Sequence, residues 1–366
     1  MNKILLIGNS GLKNGQMDGQ TIKVRLYLKK IKDEGFSACF VDLENFLRHP
    51  LSILRRIKKG IKECDRIVLL TAERGSKLLV PYINKINKKH KKPFVFPLVG
   101  TSVLHYTIDS LPADKKNAFI LKKDFLNLHP NKKLVKELKQ ISYILPETDG
   151  LSDVFKAFYD LNNVMTLTNF RETETKSTRV NSDNILNLIY ISRVMEEKGI
   201  FDLLECVNSI NKDEKYVKLD IYGGLSFNKA QKEKFNNMIN YDWVFYQGAI
   251  PSNQVVQVLA IHDLFVFPTR FIHEGTPGVI VESLLAGTPI LTSNFPQVGQ
   301  LLKTNVDSIT YEMFNTEELM QKLLYIINNR EILKQLKIGA IESGKKFTYQ
   351  YNRNRFLKYI CGIEEE

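Results

Sequence analysis

VFPTRFIHEGTPGVIVESLLAGTPILTS, residues Val266–Ser293, is the stretch on which the reading of this chain turns. Its first residues extend an apolar run, Leu264–Phe267, that suits a strand buried on both faces and stops at Pro268. The loop beyond carries Glu274-Gly275-Thr276-Pro277-Gly278. A helical pattern, Val279–Ala286, then runs to Gly287, and Pro289 opens the next strand, Pro289–Thr292. Pro and Gly before a helix, and Gly after it, are the expected punctuation. Gly275 and Gly278 let backbone approach a ligand closely, and the first-turn N–H groups of the helix suit a phosphate. Glu274 stands at the mouth of the loop and Glu282 inside the helix, a pair suited to hydroxyls of a sugar and of a ribose. Two glutamates eight apart occur by chance in most proteins. The weight lies in the order of strand, Gly-Pro-Gly loop, helix and strand.

Working outward, Ile189–Leu204 reads IYISRVMEEKGIFDLL: a strand, Ser192-Arg193, Lys198-Gly199, then a helix. Two cations at a strand-to-helix turn can neutralise a diphosphate leaving group. Further strands are expected at Leu186–Ile191, Val217–Tyr222, Trp243–Tyr246 and Ser308–Tyr311. Helices are expected at Phe201–Ile210, Asn253–Ala260, Thr316–Asn329, Glu331–Lys346 and Tyr349–Ile360. The first half alternates in the same way, with strands Lys3–Gly8, Ala38–Val41, Arg66–Leu70 and Pro93–Val99 and helices Thr21–Glu34, Ser52–Glu63 and Ser76–Lys88. Strands alternating with helices of a dozen residues imply parallel βαβ units. At 366 residues the chain exceeds a single core, and the polar, unpatterned Arg171–Asp183 reads as a linker. The fold class is α/β, two doubly wound domains in sequence.

At these residues the sequence resembles the retaining glycosyltransferases of family 4. Its E-G-T-P-G…E segment, its Ser192-Arg193…Lys198-Gly199 turn and the weaker Ile221-Tyr222-Gly223-Gly224, Tyr246-Gln247-Gly248 and Asp263–Thr269 stretches follow the family's order over about residues 186–345. The resemblance implies the GT-B fold: two Rossmann-like domains facing a central cleft. The N-terminal acceptor domain spans 1–175, the donor domain 184–346, and helix 347–366 packs back on the first. It implies that Arg193 and Lys198 stabilise the departing diphosphate, that Glu274 holds the donor sugar and Glu282 the ribose. Gly275, Thr276, Pro277, Gly278, Gly223 and Gly248 line the donor, and Gly19-Gln20 approach it from the other domain. It further implies a hexosyl transfer with retention, with no cofactor and no metal, since Arg and Lys supply the positive charge. Many relatives carry a His after the strand matching Phe94–Val99; here Gly100, Thr101 and Ser102 stand there, with His105 further on. Thr101, Ser102 and His105 are therefore the acceptor-side candidates, and His273 stays open.

The Gly8–Gln20 loop has no G-x-G-x-x-G and is too long for a dinucleotide turn, which argues against a nicotinamide cofactor. Four scattered cysteines, with no C-x-x-C pair, read as reduced thiols. No apolar run approaches ~20 residues and no leader precedes Lys3, so a soluble cytoplasmic protein is expected. The net charge of +12 lies in residues 1–175, where 31 Lys and Arg face 18 Asp and Glu; the rest carries 21 against 22. Such a face attracts phosphates, as on an anionic leaflet or a lipid pyrophosphate. Leu51–Lys62 (LSILRRIKKGIK) is basic and amphipathic, and two readings stay open: a leaflet-bound segment, or a helix packed on its own sheet. Nucleic acid is not an expected partner, for no recognition motif accompanies the charge. The expected partners are a nucleotide sugar and a saccharide or lipid-linked acceptor in cell-surface polysaccharide assembly. Rival readings are a non-catalytic nucleotide-sugar-binding partner of another transferase, disfavoured by both cations being present, and a GT-B epimerase, whose motifs differ.

Overall fold

The computed structural model describes residues 2–12, 18–100, 131–172, 185–272 and 274–363. It divides into two units, Met1–Asn169 with Gln350–Glu366, and Phe170–Tyr349. The sequence-predicted Thr101, Ser102, His105 and His273, and most of the expected linker, lie outside the described residues.

The first unit runs β1 (Lys3–Gly8), α1 (Gly19–Asp33), β2 (Ser37–Asp42), α2 (Pro50–Glu63), β3 (Arg66–Leu70), α3 (Glu73–Asn87), β4 (Phe94–Pro97), α4 (Lys132–Leu138), β5 (Tyr143–Leu145) and α5 (Asp149–Tyr159). Its parallel sheet has the order β2-β1-β3-β4-β5. Each strand splits its apolar residues between two faces, as a pleat of period two requires. Leu5, Ile7, Ile67, Leu69, Phe94 and Phe96 join one core with α2, α3 and α5. The opposite face is covered by α1 and by the chain's final helix, whose Phe356 ring meets Tyr27 edge-on at 5.2 Å. Arg353 forks onto Glu34 at 2.9 and 2.6 Å, and Arg66 donates to the Tyr359 carbonyl at 3.0 Å. The N-terminal half of α1 is fixed by a buried pair, Lys23–Glu147 at 2.7 Å, with Lys23 also donating to the Leu98 carbonyl.

Between the two readings of the basic stretch Leu51–Lys62, burial assigns its apolar stripe. Ile53, Ile57 and Ile61 are buried in this core, and Gly60 lies so close to Leu5 that a Cβ there would sit 2.5 Å from it. The outward face keeps Arg55, Arg56, Lys58, Lys59 and Lys62 in solvent beside the exposed Leu47 and Leu51.

The second unit runs β6 (Leu186–Ile191), α6 (Ile200–Ile210), β7 (Val217–Tyr222), α7 (Lys229–Met238), β8 (Val244–Gly248), α8 (Val255–Ala260), β9 (Leu264–Phe267), α9 (Gly278–Ala286), β10 (Ile290–Ser293), α10 (Val298–Leu301), β11 (Ser308–Tyr311), α11 (Thr316–Asn328) and α12 (Ile332–Gly344). Its six parallel strands have the order β11-β10-β9-β6-β7-β8. Leu188, Tyr190, Leu219 and Val266 pack against α6 and α11, while Ile189, Ile191, Phe265 and Phe267 pack against α8 and α9. Both units are therefore doubly wound and Rossmann-like. In the second, chain order reverses between the neighbours β6 and β9. Beyond the carboxyl ends of such a pair, an open sheet leaves a crevice. The last helix, α13 (Tyr349–Phe356), ends in a wider turn over Leu357–Cys361 and belongs to the first unit. No described helix is long and apolar enough to cross a membrane.

Candidate active site

The turn after β6 brings Lys198 to the end of β9, and a glycine makes this possible. Glu196–Lys198 form one tight helical turn closed by Gly199, whose φ of 71° is left-handed. A Cβ on Gly199 would lie 1.8 Å from the Pro268 carbonyl oxygen, so no other residue lets the two segments approach so closely. The β9 loop is clamped from its own side as well. The Arg270 N–H donates to the Glu197 carbonyl at 2.9 Å, and its guanidinium forks onto Asp202 with two bonds of 2.6 Å.

Within that clamp the Lys198 ammonium donates to Glu274 Oε1, and Thr269 Oγ1 donates to the same oxygen at 2.9 Å. The ammonium lies 4.9 Å from the Phe271 ring centroid and 5.8 Å from that of Phe267. Glu274 is 7% exposed, Thr269 fully buried. Beneath them the buried Tyr190 phenol donates to the Arg193 carbonyl at 3.0 Å. Burial, reinforced by the Glu274 charge, pushes that phenol far above its ordinary value despite an opposing hydrogen bond with Ser192, so it stays protonated. A cation and a carboxylate from segments 76 residues apart thus meet at the crevice between β6 and β9.

Gly275, Thr276 and Pro277 lead from this pair into α9, which starts at Gly278 with no side-chain cap; the Ile280 and Val281 N–H groups bond the Pro277 carbonyl, and no side chain caps the N–H groups of Gly278 and Val279. Glu282 lies one turn on, over Gly278, and is 7% exposed. Its Oε1 accepts from Arg171 Nε at 2.8 Å. Gly278 has a second reason to be glycine: a Cβ there would lie 2.1 Å from Arg171 Nη2. Sequence reasoning placed Arg171 at the start of a linker and missed it as a site residue. A polar stretch without period gives no signal for a pairing across 111 residues.

The ends of β6, β7 and β8 form a neighbouring cluster. Gly223, at φ 140°, sits where a Cβ would be 1.7 Å from the Ser192 carbonyl. Its N–H donates to the Gly248 carbonyl and its own carbonyl accepts from the Tyr246 hydroxyl, both at 2.8 Å. Gly248 is left-handed at φ 76° in open space. Arg193 is exposed in the same turn and makes no side-chain hydrogen bond or ion pair with any described residue; it does not join the Lys198–Glu274 pair. Gly19 and Gln20 open α1 in the first unit, behind an Asp18–Thr21 capping box. Among the described residues no three His, Cys, Asp or Glu side chains converge as metal ligands do.

The chain is similar to known glycosyltransferases. Residues 170–343 match the model of the family described as glycosyl transferases group 1. An uncharacterised glycosyltransferase of Methanocaldococcus jannaschii is 22% identical over 44% of this chain and 44% of its own. A poly(ribitol-phosphate) alpha-N-acetylglucosaminyltransferase of Staphylococcus aureus is 22% identical over 84% of this chain and 58% of its own. The chain spans between 26% and 58% of the length of the curated relatives it matches. Among solved structures, Anabaena HepE in complex with UDP and glucose superposes with a TM-score of 0.70 at 14% identity, over 99% of this chain and 100% of that one. The chain has the GT-B fold, and its second unit, almost in full, is the segment that matches the glycosyl transferases group 1.

Proposed function

We propose that the protein is a retaining, metal-independent glycosyltransferase that moves a hexose from a nucleotide sugar to a saccharide or lipid-linked acceptor in cell-surface polysaccharide assembly. The observation that carries this reading is the meeting of Lys198, Glu274 and Thr269 at the β6/β9 crevice, beside the uncapped start of α9. Without donor, Lys198 and Glu274 neutralise each other. A diphosphate offers Lys198 a stronger anion, and the sugar offers Glu274 hydroxyl donors, so each partner of the pair exchanges one bond for another. The α9 N-terminus and Arg193 add positive potential where charge builds on the departing diphosphate. The C1–O bond to the diphosphate breaks, the acceptor oxygen bonds C1, and the acceptor proton leaves with the diphosphate. Glu282 takes the ribose, and Gly223 and Gly248 flank the nucleoside. The HepE complex with UDP and glucose supports a nucleotide-sugar donor, and the S. aureus relative's name, a poly(ribitol-phosphate) alpha-N-acetylglucosaminyltransferase, supports a polymeric acceptor.

The test is release of nucleoside diphosphate from UDP-, GDP- and ADP-hexoses, with and without a chelator, followed by the anomeric configuration of any product. Release that K198A abolishes supports the reading. Release at a wild-type rate from K198A, or none from any donor, sinks it.

A second reading follows from the exposed basic face of α2. Arg55, Arg56, Lys58, Lys59 and Lys62, with Leu47 95% exposed and Leu51 69% exposed, suit the headgroups of an anionic leaflet. Each charge contributes roughly 1 kcal/mol near such a surface. Vesicles containing phosphatidylglycerol should bind at low salt and release at high salt; binding indifferent to salt, or absent throughout, rejects the membrane contact.

A further inference from the structure

We propose that Arg171 is a positioning residue for Glu282, and that the discrimination of ribose from deoxyribose in the donor depends on it. The inference rests on the reading that Glu282 holds the donor ribose. Glu282 is nearly buried, and burying a carboxylate is costly unless a cation stays beside it. Arg171 is that cation. Its Nε donates to Glu282 Oε1 at 2.8 Å, while Oε2 receives no hydrogen bond from any described residue and is left for a hydroxyl.

The guanidinium is itself held on three sides. Nη1 donates to the Phe170 carbonyl at 3.1 Å, and Nη2 occupies the space that Gly278 leaves by having no side chain. The Arg171 backbone bridges to the far end of the unit, its N–H to the Phe347 carbonyl at 2.8 Å and its carbonyl from the Tyr349 N–H at 2.9 Å. The Phe170 and Tyr349 rings pack beside it with centroids 5.3 Å apart. Arg171 therefore stands on the two segments by which the chain enters and leaves the second unit, and reaches from there to the first turns of α9. Such a footing fixes one oxygen of Glu282 and aims the other, which an exposed or loosely held arginine does not do.

The experiment is calorimetric binding of UDP, GDP and ADP, each beside its 2′,3′-dideoxy analogue. Wild type should prefer the ribose form of its nucleotide by about 10- to 100-fold, the range expected for one or two hydrogen bonds to a charged group. E282Q should erase that preference. R171Q should erase it too while leaving the weaker dideoxy affinity in place, R171K should restore part of it, and the double variant should be no worse than either single one. Loosened packing alone lowers both affinities together. R171Q with the preference intact overturns the inference and leaves the Glu282 reading standing. Wild type without any preference overturns that reading, and the inference with it. Should R171Q not fold, G278A pushes the guanidinium aside with both charges present, and the same comparison decides.

Discussion

On the proposed function Lys198 has two duties, pairing with Glu274 and steadying the leaving group, and one pair of variants separates them. In K198M the Glu274 carboxylate stays in place, 7% exposed, with the Thr269 hydroxyl as its remaining described donor. Breaking a buried ion pair by removing one partner costs about 3–5 kcal/mol, and the 12% and 9% exposure of these side chains reduces that to about 2–4 kcal/mol. Adding E274Q removes the stranded charge but keeps the acceptor for Thr269, so the double variant should regain at least half of the loss. Turnover should not return, for the cation beside the leaving group is still missing, at a cost of about 10²-fold or more. The assay is urea unfolding at neutral pH followed by fluorescence of Trp243, the chain's single tryptophan, which lies in the second unit. A K198M midpoint equal to wild type refutes the energetic role of the pair. A double variant no more stable than K198M refutes the argument that the stranded carboxylate carries the loss.

Two further outcomes follow from the same unit. G199A forces an L-residue to φ 71° and drives a Cβ into the Pro268 carbonyl, so it should lose at least about 2 kcal/mol and displace Lys198; a wild-type urea midpoint contradicts this. Asp220 is pulled to about 2: burial alone raises it, but hydrogen bonds from His262 and Gln247 and the Lys218 charge outweigh burial. A lowered carboxylate stabilises fully above its unfolded value near 4 and loses that contribution as pH falls through about 2, so about 1–2 kcal/mol should disappear in that window. D220N should flatten the acid limb of a stability–pH curve between pH 4 and 2, and parallel limbs in the two proteins speak against it.

The strands of the second unit were legible because short runs rich in apolar and β-branched residues recur between helical stretches. Leu186–Ile191, Val217–Tyr222, Leu264–Phe267 and Ser308–Tyr311 are bounded in the structure where sequence bounds them. The three-residue β5 and the short α4, which buries only Leu138, carry too little apolar sequence to stand out, and the polar α7 buries only Phe235. Leu51–Lys62 shows the limit of periodicity, which finds an apolar stripe but does not say whether a sheet or a lipid covers it. Glu274, Lys198 and the glycines were visible through their spacing. The reason for two of those glycines was not: Gly199 answers to the Pro268 carbonyl and Gly278 to Arg171, contacts that exist only once the sheet is assembled. Arg171 itself gives no local sign, because its partner lies on the far side of four strands in the chain.

The central claim is that the second unit binds a nucleotide sugar through the start of α9. A thermal-shift panel of UDP-, GDP-, ADP- and CMP-linked sugars on wild type and E282A tests it directly, since a ligand of the folded state alone raises stability with the logarithm of its concentration over Kd. One nucleotide class should raise the wild-type Tm and leave E282A where it was. A panel that shifts neither protein, or shifts both equally, contradicts it.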